Sequence, residues 1–239
     1  MNWLEILSYI AIAIGIIQFL IITIDVIRHP QMMFVMNIVW PITGLYFPII
    51  GIWFYFTLGR KDMKKQDHSH HSSHDTHESH ENHEHHEHHH SKKPFWQGII
   101  VSTTHCSSGC SIGDLIGAPI VFMTGWTIAG SVLFADYVTE FILAYILGIA
   151  FQYYGMKMNN NSPKEELKNA AKADTWSLLA FEIGMFGWMA LSHYVFFSEP
   201  PRPNNVVFWF MMQIAMIIGF FTSYPANWIL AKKGIKHVM

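Results

Sequence analysis

Long apolar runs alternate with short polar segments along the chain. The first run extends from Trp3 to Ile27, and others cover about 33–58, 95–123, 128–154, 175–197 and 206–230. A helix of about 20 apolar residues spans a bilayer, and the first run is too long for a signal peptide. The pattern predicts an all-α integral membrane protein, a bundle of about six transmembrane helices in contact with lipid.

The basic residues indicate how such a bundle is oriented. Lysine and arginine concentrate in 59–94, after the fourth run and after the sixth, whereas the other side would receive only Arg28 and Arg202. Cytoplasmic loops of membrane proteins carry the excess of these residues. We therefore expect a cell (inner) membrane protein with both termini cytoplasmic. Helices one and two would occupy 1–58, a cytoplasmic loop 59–94, and helices three to six 95–239.

Composition narrows the function classes. Hydrophobic residues make up 51% of the chain and charged residues only 13%, with a net charge of −2. Because the lysine and arginine residues form no continuous basic surface, we expect no nucleic-acid partner. The segment 67–90 consists almost entirely of histidine, glutamate and serine, so it cannot form a core and should be disordered. It is either a solvated linker or a metal-concentrating loop, whose candidate residues are His83, His85, His86, His88, His89 and His90.

Both cysteines of the chain lie in the third apolar run. Cys106, Cys110 and Asp114 are spaced i, i+4 and i+8, so a helix places them on one face, and His105 adjoins them. Thiolates, imidazole and carboxylate are typical ligands of transition metals. The pattern predicts a metal site of His105, Cys106, Cys110 and Asp114, the alternative being two inert buried cysteines.

Further ionisable residues lie in other apolar runs. Asp136 and Glu140 share one face of the fourth run, and their depth places them near the cysteines, so we add them to the predicted metal site. The alternative is a structural pair with a buried partner. Glu182, Asp25 and His193 are candidates for proton coupling or secondary roles, His193 near the outer interface.

Small residues accompany the cysteines. Gly109, Gly113 and Gly117 repeat every four residues, a pattern typical of helices that approach each other closely. We expect the fourth apolar run to be the partner. With Pro119 following, the same stretch could instead be an unwound half-helix that lines a cavity.

The run Thr104-His105-Cys106-x-x-x-Cys110-x-x-Gly113-Asp114 resembles an uncharacterised bacterial polytopic membrane family, a domain of unknown function with a Thr-His-Cys-x-x-x-Cys-x-x-Gly-acid signature. The resemblance implies a shared site at His105, Cys106, Cys110 and Asp114. The layout is also similar to cation-diffusion efflux proteins, but those place the loop after the fourth span, so none of their residues is carried over.

Three functions are consistent with these features. The first is a transition-metal transporter or metal-handling permease with a mid-membrane site, coupled to protons because metal ligands must be deprotonated. The metal would be Zn(II) or Cu(I). The second is a membrane thiol–disulfide oxidoreductase that uses Cys106 and Cys110. The third is a non-transporting copper chaperone or assembly factor. The first is favoured, with no enzyme activity and with homo-oligomer formation left open.

Overall fold

The computed structural model describes residues 2–31, 33–60, 94–156 and 163–236, and their regular structure is helical. The predicted histidine loop, with His83, His85, His86, His88, His89 and His90, lies outside the described residues. The helices are α1 Trp3–Arg28, α2 Met36–Tyr46, α3 Ile50–Phe54, α4 Phe95–Thr124, α5 Val132–Met156, α6 Pro163–Leu191 and α7 Val206–Lys232, and π-helical segments extend α3 over Tyr55–Gly59 and α6 over Ser192–Phe196.

The predicted all-α membrane class agrees with this architecture. Within the described part of the chain, five helices are long and apolar enough to cross a membrane, namely α1, α4, α5, α7 and the segment Asp174–Phe196. In its most apolar stretch, α4 is 61% buried inside the protein and α1 only 22%. The helix that carries the cysteines is therefore central, and α1 lies at the edge.

The second predicted span is not a single helix, and this prediction is wrong. The helix is interrupted at 47–49. Pro48 has no N–H to continue the hydrogen bonding of α2, and Ile49 takes a φ of 69°, a left-handed value that is rare for a β-branched residue. A Cβ on Gly51 would lie 2.8 Å from the Cα of Gly44, and Arg60 lies 3.4 Å from Asp25 near the end of α1. Helices α2 and α3 therefore form a hairpin that returns to its own starting end.

Two buried glutamines satisfy the backbone at the tip of this hairpin. The Gln213 side chain donates to the carbonyl of Leu45 at 2.8 Å, and the Gln18 side chain accepts from the N–H of Ile52 at 3.1 Å. Broken helices at membrane depth are tolerated only where protein groups replace the missing backbone bonds. The hairpin is thus supported by α1 on one side and by α7 on the other.

The glycine repeat of α4 lies against α5, as the sequence predicts. A Cβ on Gly109 would lie 3.0 Å from the Cα of Gly148, and one on Gly113 would collide with the backbone of Ala144. A Cβ on Gly117 would meet the Glu140 side chain at 2.8 Å. Because α4 is continuous through Pro119, the alternative of an unwound half-helix is wrong.

Basic residues collect at one end of the bundle. Phe95 at the start of α4 packs edge-on against Trp228 near the end of α7, with ring centroids 5.0 Å apart, and Arg60 lies beside Asp25. We call this the basic end. Among the described residues its Lys and Arg side chains are Arg28, Arg60, Lys164, Lys168, Lys172, Lys232, Lys233 and Lys236, which leaves only Arg202 for the opposite end.

Replacing Gly113 with valine should disrupt the contact between α4 and α5. Because the new side chain would meet backbone rather than a movable side chain, we expect a loss of about 1–3 kcal/mol or more of stability. The measurement is the thermal unfolding temperature in detergent. Gly187→Val is the matched control, since no atom of the described residues lies within 4 Å of a Cβ there. Equal effects of the two variants would contradict the account of this interface.

Candidate functional site

The site is built on the polar face of α4. Cys106, Cys110 and Asp114 share this face, as predicted, and all three are buried. The cysteines are free thiols. The side chain of Cys110 lies next to that of Cys106 and within electrostatic range of Asp114 and Glu182. One helix therefore contributes two thiols and a carboxyl group to the interior of the bundle.

Two neighbouring helices contribute further carboxyl groups. Glu140 of α5 packs against Gly117, whose missing side chain leaves room for it. Glu182 of α6 lies beside the Cys110 thiol, and it is within electrostatic range of both Asp114 and Glu140. We call Cys106, Cys110, Asp114, Glu140 and Glu182 the polar row.

The carboxyl groups of the polar row lack the partners that buried acids normally have. Both oxygens of Asp114 and both of Glu182 are inaccessible and accept no hydrogen bond from a described residue. Neither group, nor Glu140, forms an ion pair within the described residues. Burying a carboxyl group in this way costs free energy unless the group is paired with a hydrogen-bond partner or a cation. The arrangement is therefore suited to holding protons or a cation.

At the basic end, the polar row meets a buried ion pair. The Cys106 sulfur lies 3.3 Å from the Ser177 hydroxyl, which in turn donates to Asp174 Oδ1 at 3.2 Å. Lys236 Nζ donates to the same Asp174 oxygen at 2.8 Å. Burial alone lowers the pKa of Lys236, but the adjacent Asp174 carboxylate outweighs burial and the net shift is upward. The lysine is therefore charged at neutral pH.

At the opposite end, the polar row reaches a pocket of about 390 Å³. Asp136 and Glu140 line it together with His193, Arg202 and Ser192. The π-helical segment Ser192–Phe196 supplies two of these residues, and such distortions frequently mark functional sites. The pocket offers charged groups of both signs next to the outermost carboxyl group of the polar row.

The predicted site residues thus fall into separate places. Cys106, Cys110, Asp114 and Glu140 line one polar row, and Glu182, predicted only as secondary, belongs to it. His105 is buried against Phe151, with ring centroids 6.2 Å apart, and interacts electrostatically with Asp174 and Lys236. Asp136 and His193 line the pocket. In the described ranges, no three His, Cys, Asp or Glu side chains are close enough together to hold a metal ion.

Asp25 belongs to another cluster. It accepts a hydrogen bond from the Tyr55 hydroxyl at 2.7 Å and faces Arg60 and His29 at 3.4 Å each. The contacts of Tyr55 and Arg60 attach the end of the hairpin to α1. We therefore assign Asp25 a structural role, away from the polar row.

Sequence reasoning missed three residues, Asp174, Ser177 and Lys236. The fifth predicted apolar run begins at 175, so Asp174 fell just outside the segment that the sequence analysis treated as buried. A signal was nevertheless present, since Asp174, Ser177, Phe181 and Glu182 are spaced as one face of a helix. For Lys236 the local sequence gives no such signal, because its burial depends on how the chain turns after α7.

Fold and site define a helical membrane protein with a buried row of acids and thiols in its central helices. The chain belongs to the DUF4396 family, described as a domain of unknown function, whose model matches residues 95–236. This range contains α4 to α7 and the whole polar row. No curated protein and no solved structure matches the chain significantly. The proposed signature and the bacterial origin remain predictions.

Proposed function

We propose that this protein is a proton-coupled permease for a transition-metal cation, with Zn(II) or Cu(I) as the cargo and the polar row as its route. The observation that carries the proposal is a pair of buried carboxyl groups beside the Cys110 thiol, Asp114 and Glu182, to which no hydroxyl, amide or ammonium group of the described residues donates a hydrogen bond. Ionisable residues inside membrane bundles are expensive and typically mark ion or proton pathways.

Proton coupling follows from the charges. Three carboxyl groups in a low-dielectric interior, without a cationic partner among the described residues, cannot all be ionised. Without cargo they carry protons, and an arriving cation replaces those protons because metal ligands must be deprotonated. Binding therefore releases protons, and release of the cargo takes them up again.

The donor set favours a soft or borderline cation. Cys110 supplies sulfur, while Asp114, Glu140 and Glu182 supply oxygen, a combination that suits Zn(II) and, through the thiol, Cu(I). These groups come from three helices in mutual electrostatic range. Because no three of them form a preformed cluster in the described residues, binding would draw α4, α5 and α6 side chains together. The cargo would enter or leave through the pocket at Asp136 and His193.

The distribution of basic residues supports an orientation for the route. With five crossings and a hairpin that returns to the basic end, every described lysine and arginine except Arg202 lies on one side. The positive-inside pattern then makes the basic end cytoplasmic. In this arrangement the start of α1 and the pocket face outward, which replaces the expectation that both termini are cytoplasmic.

The alternative functions share the same residues. An oxidoreductase would use the neighbouring thiols of Cys106 and Cys110, but both are buried and out of reach of a protein partner. Thiol exchange requires an accessible sulfur. A copper chaperone would bind cargo without moving it, so transport separates this function from the permease.

Removing a donor of the polar row should strongly reduce transport without unfolding the protein. We expect Cys110→Ser and Glu182→Gln each to lower Zn(II) or Cu(I) uptake into proteoliposomes by roughly 10- to 100-fold, the usual range for groups that shape a metal site. Asp25→Asn is the matched carboxyl control and should retain uptake per folded protein. Wild-type protein that binds but does not transport either metal would contradict the permease and favour a chaperone.

The five-crossing orientation predicts which positions are accessible from outside the cell. Single cysteines at Asn2, Asn204 and Lys233, all exposed, can be labelled with a membrane-impermeant maleimide, because the native cysteines are buried. We expect Asn2→Cys and Asn204→Cys to react in intact cells and Lys233→Cys only after permeabilisation. Protection of Asn2→Cys in intact cells would instead support six crossings with both termini inside.

A further inference from the structure

The chain turns back into the bundle directly after α7. Gly234 takes a φ of +67°, its N–H bonds to the carbonyl of Ala231 at 3.0 Å, and the N–H of Ile235 bonds to that of Leu230 at 3.0 Å. These two bonds define a Schellman motif, which ends a helix with a glycine in the left-handed region. The motif directs Lys236 inward, whereas Lys232 and Lys233 remain exposed.

The inserted ammonium group occupies a set of polar atoms at the basic end of the polar row. Lys236 Nζ lies 2.8 Å from Asp174 Oδ1 and 3.3 Å from the Ser177 hydroxyl. That hydroxyl is 3.3 Å from the Cys106 sulfur. Side chains of Lys236 and Asp174 are each only 1% exposed. A cation is therefore already held here, and it is covalently tethered to the protein.

Other donors around this ammonium group are unused. Asp174 Oδ2 and both ring nitrogens of His105 are buried and have no hydrogen-bond partner among the described residues. His105 interacts electrostatically with both Asp174 and Lys236. A purely structural ion pair would need neither a thiol joined to it through Ser177 nor an imidazole within electrostatic range. The set contains the donor types that a transition metal prefers.

We propose that Asp174, Ser177, Cys106 and His105 form an inner cation site, and that the Lys236 ammonium group holds this site closed until a metal cation displaces it. The proposal rests on the proposed function, since it gives the route a gate on its cytoplasmic side. With Lys236 in place the donors do not converge on a metal geometry. Withdrawal of the lysine frees the Asp174 carboxylate for the incoming cation.

Cobalt(II) reports binding at this site, because a thiolate bound to cobalt gives a charge-transfer absorption that histidines of the long loop do not give. In full-length Cys110→Ser protein, Cys106 is the only thiol. We expect Lys236→Met in this background to tighten the cobalt–thiolate titration roughly ten-fold, the order expected when no charge-assisted bond has to be broken first. Gly234→Ala, which strains the turn, should act in the same direction.

Lys233→Met is the matched control and should leave the titration unchanged, because Lys233 is exposed at the same end. Adding Asp174→Asn to Lys236→Met should remove the tight binding. Unchanged cobalt affinity in Lys236→Met, or tightening by Lys233→Met to the same degree, would overturn the proposal.

If Lys236→Met does not fold, the wild-type protein provides the test. Addition of Zn(II) should increase acylation of the Lys236 amine by an impermeant reagent, and no increase would overturn the proposal.

The two proposals fail in different ways. If metal transport depends on Cys110 and Glu182 but Lys236→Met does not alter cobalt binding through Cys106, the inner site is wrong and the permease stands. If Lys236→Met tightens cobalt binding while no metal crosses the membrane, the inner site stands and the permease is wrong.

Discussion

The polar face of α4 has to be covered, and the rest of the structure depends on how this is done. Serines, threonines, two thiols and a carboxyl group lie on one helix inside an apolar medium, where uncovered polar groups are costly. Glycines at 109, 113 and 117 allow the α5 backbone to approach until it closes this face on one side. Helix α6 closes it on another, bringing Glu182 beside Cys110.

In this packing, some buried polar side chains have hydrogen-bond partners and others have none among the described residues. Serine and threonine hydroxyls of α4 mostly bond to carbonyls of their own helix, as Thr103 and Ser107 do at 2.7 Å each. Such bonds need no neighbour and carry no function. Asp114 and Glu182 have no comparable partner among the described residues, so their burial is costly. Costly buried carboxyl groups without a role would be hard to explain, and this supports the transport role that we propose for them.

The two ends of the polar row differ. One end opens into a pocket beside a π-helical segment, where Asp136 and His193 can meet solutes. The other end is occupied by Lys236, held by Asp174 and by the turn at Gly234. In the route that we propose, one end is accessible through the pocket and the other is held closed by the lysine ammonium group, so the two ends need not open together.

Much of this arrangement could be predicted from sequence, and the failures have physical causes. The stripe of Cys106, Cys110 and Asp114 and the close approach of α5 follow from helical periodicity, so both predictions were successful. The hairpin was missed because hydropathy shows how long an apolar run is but not whether the chain reverses direction within it. The reversal occurs at Pro48 and at Ile49, which has a left-handed backbone conformation. Asp174 and Lys236 are 62 positions apart in the chain and meet only in the folded structure, so no local sequence pattern reveals their contact.

The most direct test of the central claim is a simultaneous record of metal and proton movement in proteoliposomes. Vesicles containing the wild-type protein would enclose a metal indicator and a pH indicator, and Zn(II) would be added outside. The account predicts that Zn(II) enters while the interior becomes more alkaline, and that Glu182→Gln abolishes both changes. Entry of Zn(II) with no change in internal pH, or both changes persisting in Glu182→Gln, would contradict it.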